Sequence, residues 1–140
     1  MSLGAYQDIT VDQLDKLHVD KPFVLFIQAS WCPFSKKGKP SFKAVAQTLS
    51  SHAHFFVLEL KEFHENDPVY AYVHSVYNTT IKVVPTTLVV SLDRKVTHCI
   101  EEQLETADFL NSLAFLVPVL QKKNMHTGAK MQNKSKKKIN

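Results

Sequence analysis

Cysteine is scarce in this chain, which holds two among 140 residues, Cys32 and Cys99. That is too few for a disulfide-stapled scaffold or a four-thiolate metal site, and it fits a reducing, cytoplasmic setting. Long apolar runs are missing as well. The most apolar stretch, 109–120, is broken by Asn111 and Ser112. It falls short of the ~20 residues a membrane-spanning helix needs, so no transmembrane segment is expected. The opening Met1-Ser-Leu-Gly4 lacks the basic segment and apolar run of a secretory signal. A chain from which such a signal had been removed would read the same way. There is no internal repeat. Seven histidines are present, with His52 and His54 two apart, but no HExxH or CxxC spacing accompanies them. They read as surface residues, and no metal is expected.

Acidic residues are absent from 121–140, which carry seven lysines. Residues 1–120 hold ten basic and 13 acidic side chains, so they are net −3 while the whole chain is +4. Apolar residues make up 44% of the chain and aromatics 10%, ordinary values for a globular protein. The length allows one domain with a core of its own. We therefore expect a domain over 1–120 and a basic, disordered tail over 121–140. The run Lys134-Ser-Lys-Lys-Lys138 suits contact with anionic lipid or nucleic acid, or simple solvation of a terminus. No aromatic is interleaved among these lysines, which weakens single-strand nucleic-acid binding in particular.

Local patterns predict the order of elements. Ala5 to Ile9 reads as a short strand, and Thr10-Val-Asp-Gln13 matches a capping box that opens a helix to about Leu17. Phe23-Val-Leu-Phe-Ile27 is an unbroken apolar run of the kind a central, doubly covered strand shows. Phe42, Val45, Ala46 and Leu49 then recur at helical spacing, with Pro40 early in that helix and placed to kink it. His54 to Leu60 reads as a strand. Asp67-Pro68 supplies a cap and first-turn proline for a helix with Val69, Val73 and Val76 on one side. Thr86 to Val90 and Lys95 to Ile100 form a hairpin. Thr106 caps a last helix containing Phe109, Leu113, Leu116 and Leu120. The order β-α-β-α-β-α-β-β-α implies an α/β fold, a central mixed sheet flanked by helices on both faces.

The stretch Trp31-Cys32-Pro33-Phe34-Ser35 carries the chemistry. It lies where an apolar strand hands over to a helix. A thiol at a helix start faces unpaired backbone N–H groups and the positive end of the helix dipole, and both favour thiolate over thiol. Ser35, one turn on, is placed to donate a hydrogen bond to the sulfur, and Lys36 and Lys37 add positive charge. The competing reading is a buried, inert thiol, a common state for free cysteine.

Trp31-Cys32, Pro40 eight residues beyond the cysteine, and Val84-Pro85-Thr86 opening a later strand together resemble the thioredoxin superfamily over roughly residues 5 to 120. The resemblance implies a thioredoxin fold, Cys32 as attacking nucleophile, Trp31 as its flanking tryptophan, Pro40 as the helix-kink proline and Pro85 as a cis-proline beside the site. It makes Cys32 and Ser35 the catalytic candidates, and Trp31, Pro33, Phe34, Val84 and Pro85 the substrate-binding ones. Three departures stand out: Ser35 in place of a resolving cysteine, Phe26 in place of a buried aspartate, and Glu101 near a position where many thioredoxins have glycine. The CxxS pattern also resembles the CGFS of monothiol glutaredoxins, from which Pro33 departs. In the family's sheet order Cys99 lies two strands from the one feeding Cys32, about 10 Å at ~4.8 Å per strand. That is too far for a disulfide, which needs Cα atoms within about 7 Å.

Two functions follow. One is a thiol–disulfide oxidoreductase or isomerase in redox homeostasis, acting through one cysteine and mixed disulfides. Its partners are disulfide-bearing or glutathionylated proteins, and it has no bound cofactor, only glutathione as a co-substrate. The other is a redox-inactive module holding extended peptide beside Trp31 and Pro85.

Overall fold

The computed structural model describes residues 5–117. In chain order the elements are β1 (Gln7–Asp8), α1 (Val11–Asp15), β2 (Phe23–Gln28), α2 (Pro33–Leu49), β3 (His54–Glu59), α3 (Pro68–Tyr77), β4 (Thr86–Val90), β5 (Val96–Ile100) and α4 (Thr106–Ser112), with a 3-10 turn over Ala114–Leu116. This is the order the sequence predicts. The five strands form one sheet in the order β1-β3-β2-β4-β5. β1 and β2 run parallel to β3, whereas β4 is antiparallel to β2 and β5 antiparallel to β4, so the sheet is mixed.

β2 is the middle strand, and all six of its residues are buried. Because side chains alternate along a strand, its two faces feed two cores. Phe23, Leu25 and Ile27 pack with Leu14 of α1 and with Val69, Val73 and Tyr77 of α3. Val24 and Phe26 pack on the other face with Phe42, Val45, Ala46 and Leu49 of α2 and Phe109 of α4. Phe42 is the hub of the second core, stacked on Phe26 at 4.7 Å between centroids and edge-on to Phe55 at 5.7 Å. Helices thus cover both faces, and no helix among the described residues is long and apolar enough to cross a membrane.

The structure differs from the sequence reading in detail. β1 pairs over two residues, not five. The capping box of Thr10 and Gln13 forms in full, but α1 ends at Asp15. In α3 the buried stripe is Val69, Val73 and Tyr77, at i, i+4 and i+8, and Val76 points to solvent at 43% exposure. Tyr77, the last helical residue before the left-handed Asn78, takes the place expected for a valine. Glu105, not Thr106, is the residue that precedes α4, and the helix passes into the 3-10 turn after Ser112. Leu120 and the tail 121–140 lie outside the described residues.

Candidate functional site

α2 begins because Pro33 cannot donate a backbone hydrogen bond and its fixed φ suits a first helical position. Cys32 is therefore the N-cap, with extended backbone angles of φ −99° and ψ 123°. Its N–H donates to the Ala29 carbonyl at 2.9 Å, and its own carbonyl accepts the first helical bond, from Lys36 N–H at 3.1 Å. No side chain caps the helix. The thiol turns instead toward the Val84 carbonyl, 3.7 Å from Sγ. A carbonyl only accepts, so that contact is made by the S–H form. Cys32 is 8% exposed.

Ser35 does not do what the sequence suggests. Its hydroxyl is buried and accepts the Ala29 N–H at 3.1 Å, and no hydrogen bond joins it to the Cys32 sulfur. Ala29 lies one residue past the end of β2, where the sheet no longer offers its N–H a partner. A hydroxyl one helical turn into α2 fills that need, as a buried donor requires.

The loop leading to Cys32 is held by a carboxylate. Glu59, at the end of β3, accepts from Ser30 N–H and from Ser30 Oγ, both at 2.8 Å, and from Gln28 Nε2 at 3.0 Å. Partial burial works against its charge, but these donors outweigh that and hold its carboxyl below the usual range, with Lys39 helping. Trp31 follows, 54% exposed, its indole N–H donating to the Lys61 carbonyl at 3.1 Å and its ring edge-on to Phe63.

The opposite wall comes from the loop before β4. The Val84–Pro85 peptide bond is cis, and both residues are buried. Gly38 of α2 lies against this loop: a Cβ added there would be in ordinary contact with the Pro85 ring and with Phe26, each at 3.5 Å, and tight only against the Gln103 side chain at 3.2 Å. The structure thus brings Cys32 and Val84 together, with Trp31 and Pro85 beside them. It leaves Pro33 and Phe34 on the open side, Phe34 at 63% exposure. Phe63 and Val83, also exposed, extend this apolar rim. Spacing gives no hint of either. Glu59 had a visible signal, an acid closing the apolar run of its strand.

Cys99 is exposed on β5, two strands from β2, and both cysteines are free thiols. Partial burial pushes the Cys99 thiol up and Glu101 adds to this, against Lys82. His54, one of the spaced histidines, lies 3.2 Å from Asp20.

The crystal structure of Malassezia sympodialis thioredoxin superposes with a TM-score of 0.63 over 82% of this chain and 93% of that one, at 17% identity. Thioredoxin f from spinach chloroplast gives 0.60 over 81% and 88%, at 19% identity. The chain has the thioredoxin fold. A chain in the crystal structure of a ferredoxin:thioredoxin reductase–thioredoxin f2 complex agrees, with a TM-score of 0.62 over 82% and 97% at 22% identity. Identities this low establish the fold and leave the activity open. Among curated proteins, 5′-adenylylsulfate reductase-like 4 of Arabidopsis thaliana is 41% identical over 51 residues, 36% of this chain and 16% of that protein. The chain therefore covers about a sixth of that relative's length. No protein-family model matches the chain.

Proposed function

We propose that the chain is a monothiol thiol–disulfide oxidoreductase or isomerase with Cys32 as its nucleophile. The observation that carries this is the position of Cys32: an N-cap with no side-chain cap bond, facing the Val84 carbonyl inside an apolar rim. Helix N–H groups left without a cap are oriented to stabilise negative charge on sulfur once the S–H contact to Val84 is given up. The Cys32 thiolate attacks one sulfur of a protein disulfide or a glutathione adduct. A bond forms between Cys32 and that sulfur as the old S–S bond breaks, and the other sulfur leaves as a thiolate. Ser35 offers no second thiol, so an outside thiol such as glutathione attacks the mixed disulfide and regenerates Cys32.

A redox-inactive peptide-binding module is the second reading. The rim favours it, since Trp31, Phe34, Phe63 and Val83 expose apolar surface whether or not the thiol reacts.

Intact-mass analysis after exposure to oxidised glutathione separates the two, run on the native chain, Cys32→Ala and Cys99→Ala. Rapid formation of one glutathione adduct that disappears with Cys32→Ala supports the monothiol enzyme. A Cys32 that stays unmodified until the protein is denatured leaves the binding module. Loss of two hydrogens without an adduct would reveal a Cys32–Cys99 bridge.

A further inference from the structure

The domain is acidic, but the helix that carries the thiol is not. α2 contains Lys36, Lys37, Lys39 and Lys43 and no acid, whereas the remainder of residues 1–120 holds six basic and 13 acidic side chains. Lys36, Lys39 and Lys43 stand at i, i+3 and i+7, so they share one face of the helix. That face borders a depression of about 500 Å³ between α2 and the end of β2, lined also by Tyr6, Ser30 and Pro40. A larger depression of about 850 Å³ continues past Lys43 toward Gln47 and Ser50. One carboxylate pairs with the stripe, Asp8 at 3.9 Å from Lys39 Nζ; Glu59 feels the charge of Lys39 but is already engaged by Ser30 and Gln28. Lys36 and Lys43 are exposed and have no ion-pair partner among the described residues.

We propose that this lysine stripe is a docking surface for an acidic segment of the disulfide-bearing protein that Cys32 attacks. The inference rests on the oxidoreductase reading and adds to it a substrate class. Length selects the occupant. From Cys32 to Lys43 the helix rises about 16 Å at ~1.5 Å per residue. A tripeptide the size of glutathione spans about 10 Å when extended, so it reaches Lys36 and stops short of Lys43. About five extended residues cover the distance. A nucleic acid complements the charge equally but brings no disulfide to the thiol at the head of the stripe. Charges of one sign beside the reacting atom raise encounter rates with partners of the other sign, an effect that salt screens.

The test uses the full chain and synthetic peptides with one cysteine, each activated as a mixed disulfide with an aromatic thiol. One peptide is neutral, one carries five acidic residues on the N-terminal side of its cysteine, one carries them on the C-terminal side, and a fourth carries lysines. Release of the aromatic thiol gives the rate. At low salt at least one acidic peptide reacts about tenfold faster than the neutral one and the lysine peptide more slowly. High salt removes the difference, and Lys39→Gln/Lys43→Gln reduces it. Equal rates for the acidic and neutral peptides at low salt overturn the inference. Should no peptide react at Cys32, the oxidoreductase reading fails, and the stripe is then tested separately. Fluorescent alkylated forms of the same peptides are titrated with Cys32→Ala, where tighter binding of an acidic peptide supports the stripe and equal binding overturns it. Displacement of bound acidic peptide by an oligonucleotide at lower concentration than by polyglutamate overturns the assignment to a protein partner.

Discussion

α2 and α3 start alike and differ in one respect. Each begins with an X-Pro pair, each N-cap has extended backbone, and each cap residue is buried, Cys32 at 8% exposure and Asp67 at 3%. Asp67 is saturated. One carboxylate oxygen accepts from Val69 N–H and Tyr70 N–H at the helix start, and the other accepts from Lys61 N–H and Glu62 N–H of the preceding loop. Cys32 bonds to none of its helix's N–H groups. Where a helix end serves the fold, its donors are paired. At α2 no side chain pairs with them, and the cap residue's thiol turns to the Val84 carbonyl instead; on the proposed reading, stability is forgone where charge would develop.

Removing the two caps should therefore cost very different amounts. Asp67→Ala takes the partner from four backbone donors, two at the helix start and two, Lys61 and Glu62, in the preceding loop. A lost N-cap alone costs about 1–2 kcal/mol, and the stranded loop donors add to that. Cys32→Ala removes one small side chain and no cap bond, and its cost should stay near 1 kcal/mol. Urea unfolding of both variants checks this, read as a shift in midpoint at unchanged slope. Equal shifts would mean that Cys32 is as structural as Asp67, and the functional reading of α2 would lose its footing.

A smaller effect should come from giving α2 the cap it lacks. A serine hydroxyl at position 32 can turn to accept a first-turn N–H, which sulfur does poorly. Cys32→Ser should be more stable than Cys32→Ala by about 0.5–1 kcal/mol in the same urea experiment, with thiol chemistry gone in both. A serine variant no more stable than the alanine one would show that the Val84 wall prevents any side chain here from capping.

This contrast was half legible in the sequence. Asp67-Pro68 and Thr10 with Gln13 signal helix starts through residues a few positions apart, and such local chemistry survives folding. Cys32 at a strand-to-helix junction is legible for the same reason. The role of Ser35 was not, because its hydroxyl answers an N–H six residues earlier that only the end of the sheet leaves unpaired. Tyr77 displaced Val76 from the buried stripe because i+7 and i+8 border the same helix face, and apolar spacing does not say which of the two is covered. Phe63 reaches Trp31 across a loop whose path spacing does not encode. The lysines of α2 were all in view. What gave Lys39 and Lys43 meaning was their position beside a depression whose lining reaches Ser30, two residues before Cys32.

The least disruptive change sharpens the comparison most. α2 does have a carboxylate near its start, but Glu59 grips Ser30, two residues before the cap, and not the helix N–H groups. It fixes the approach to Cys32 while leaving the helix donors open. Its carboxyl is held below the usual range in the folded chain, so the stabilisation is present above the unfolded value and is lost as pH falls through the folded one. Glu59→Gln keeps an acceptor for Ser30 but removes the charge, so it should be slightly less stable than the native chain at neutral pH, converge with it at acid pH, and lack that part of the acid-side loss. Trp31, the chain's single tryptophan, stands directly after Ser30 and reports the local rearrangement through its emission. In the native chain that emission should shift at acid pH before global unfolding, and in Glu59→Gln the early shift should be absent. An identical acid-side emission change in both would show that the Ser30 loop is held by its backbone alone, and Glu59 would then have no part in presenting the thiol.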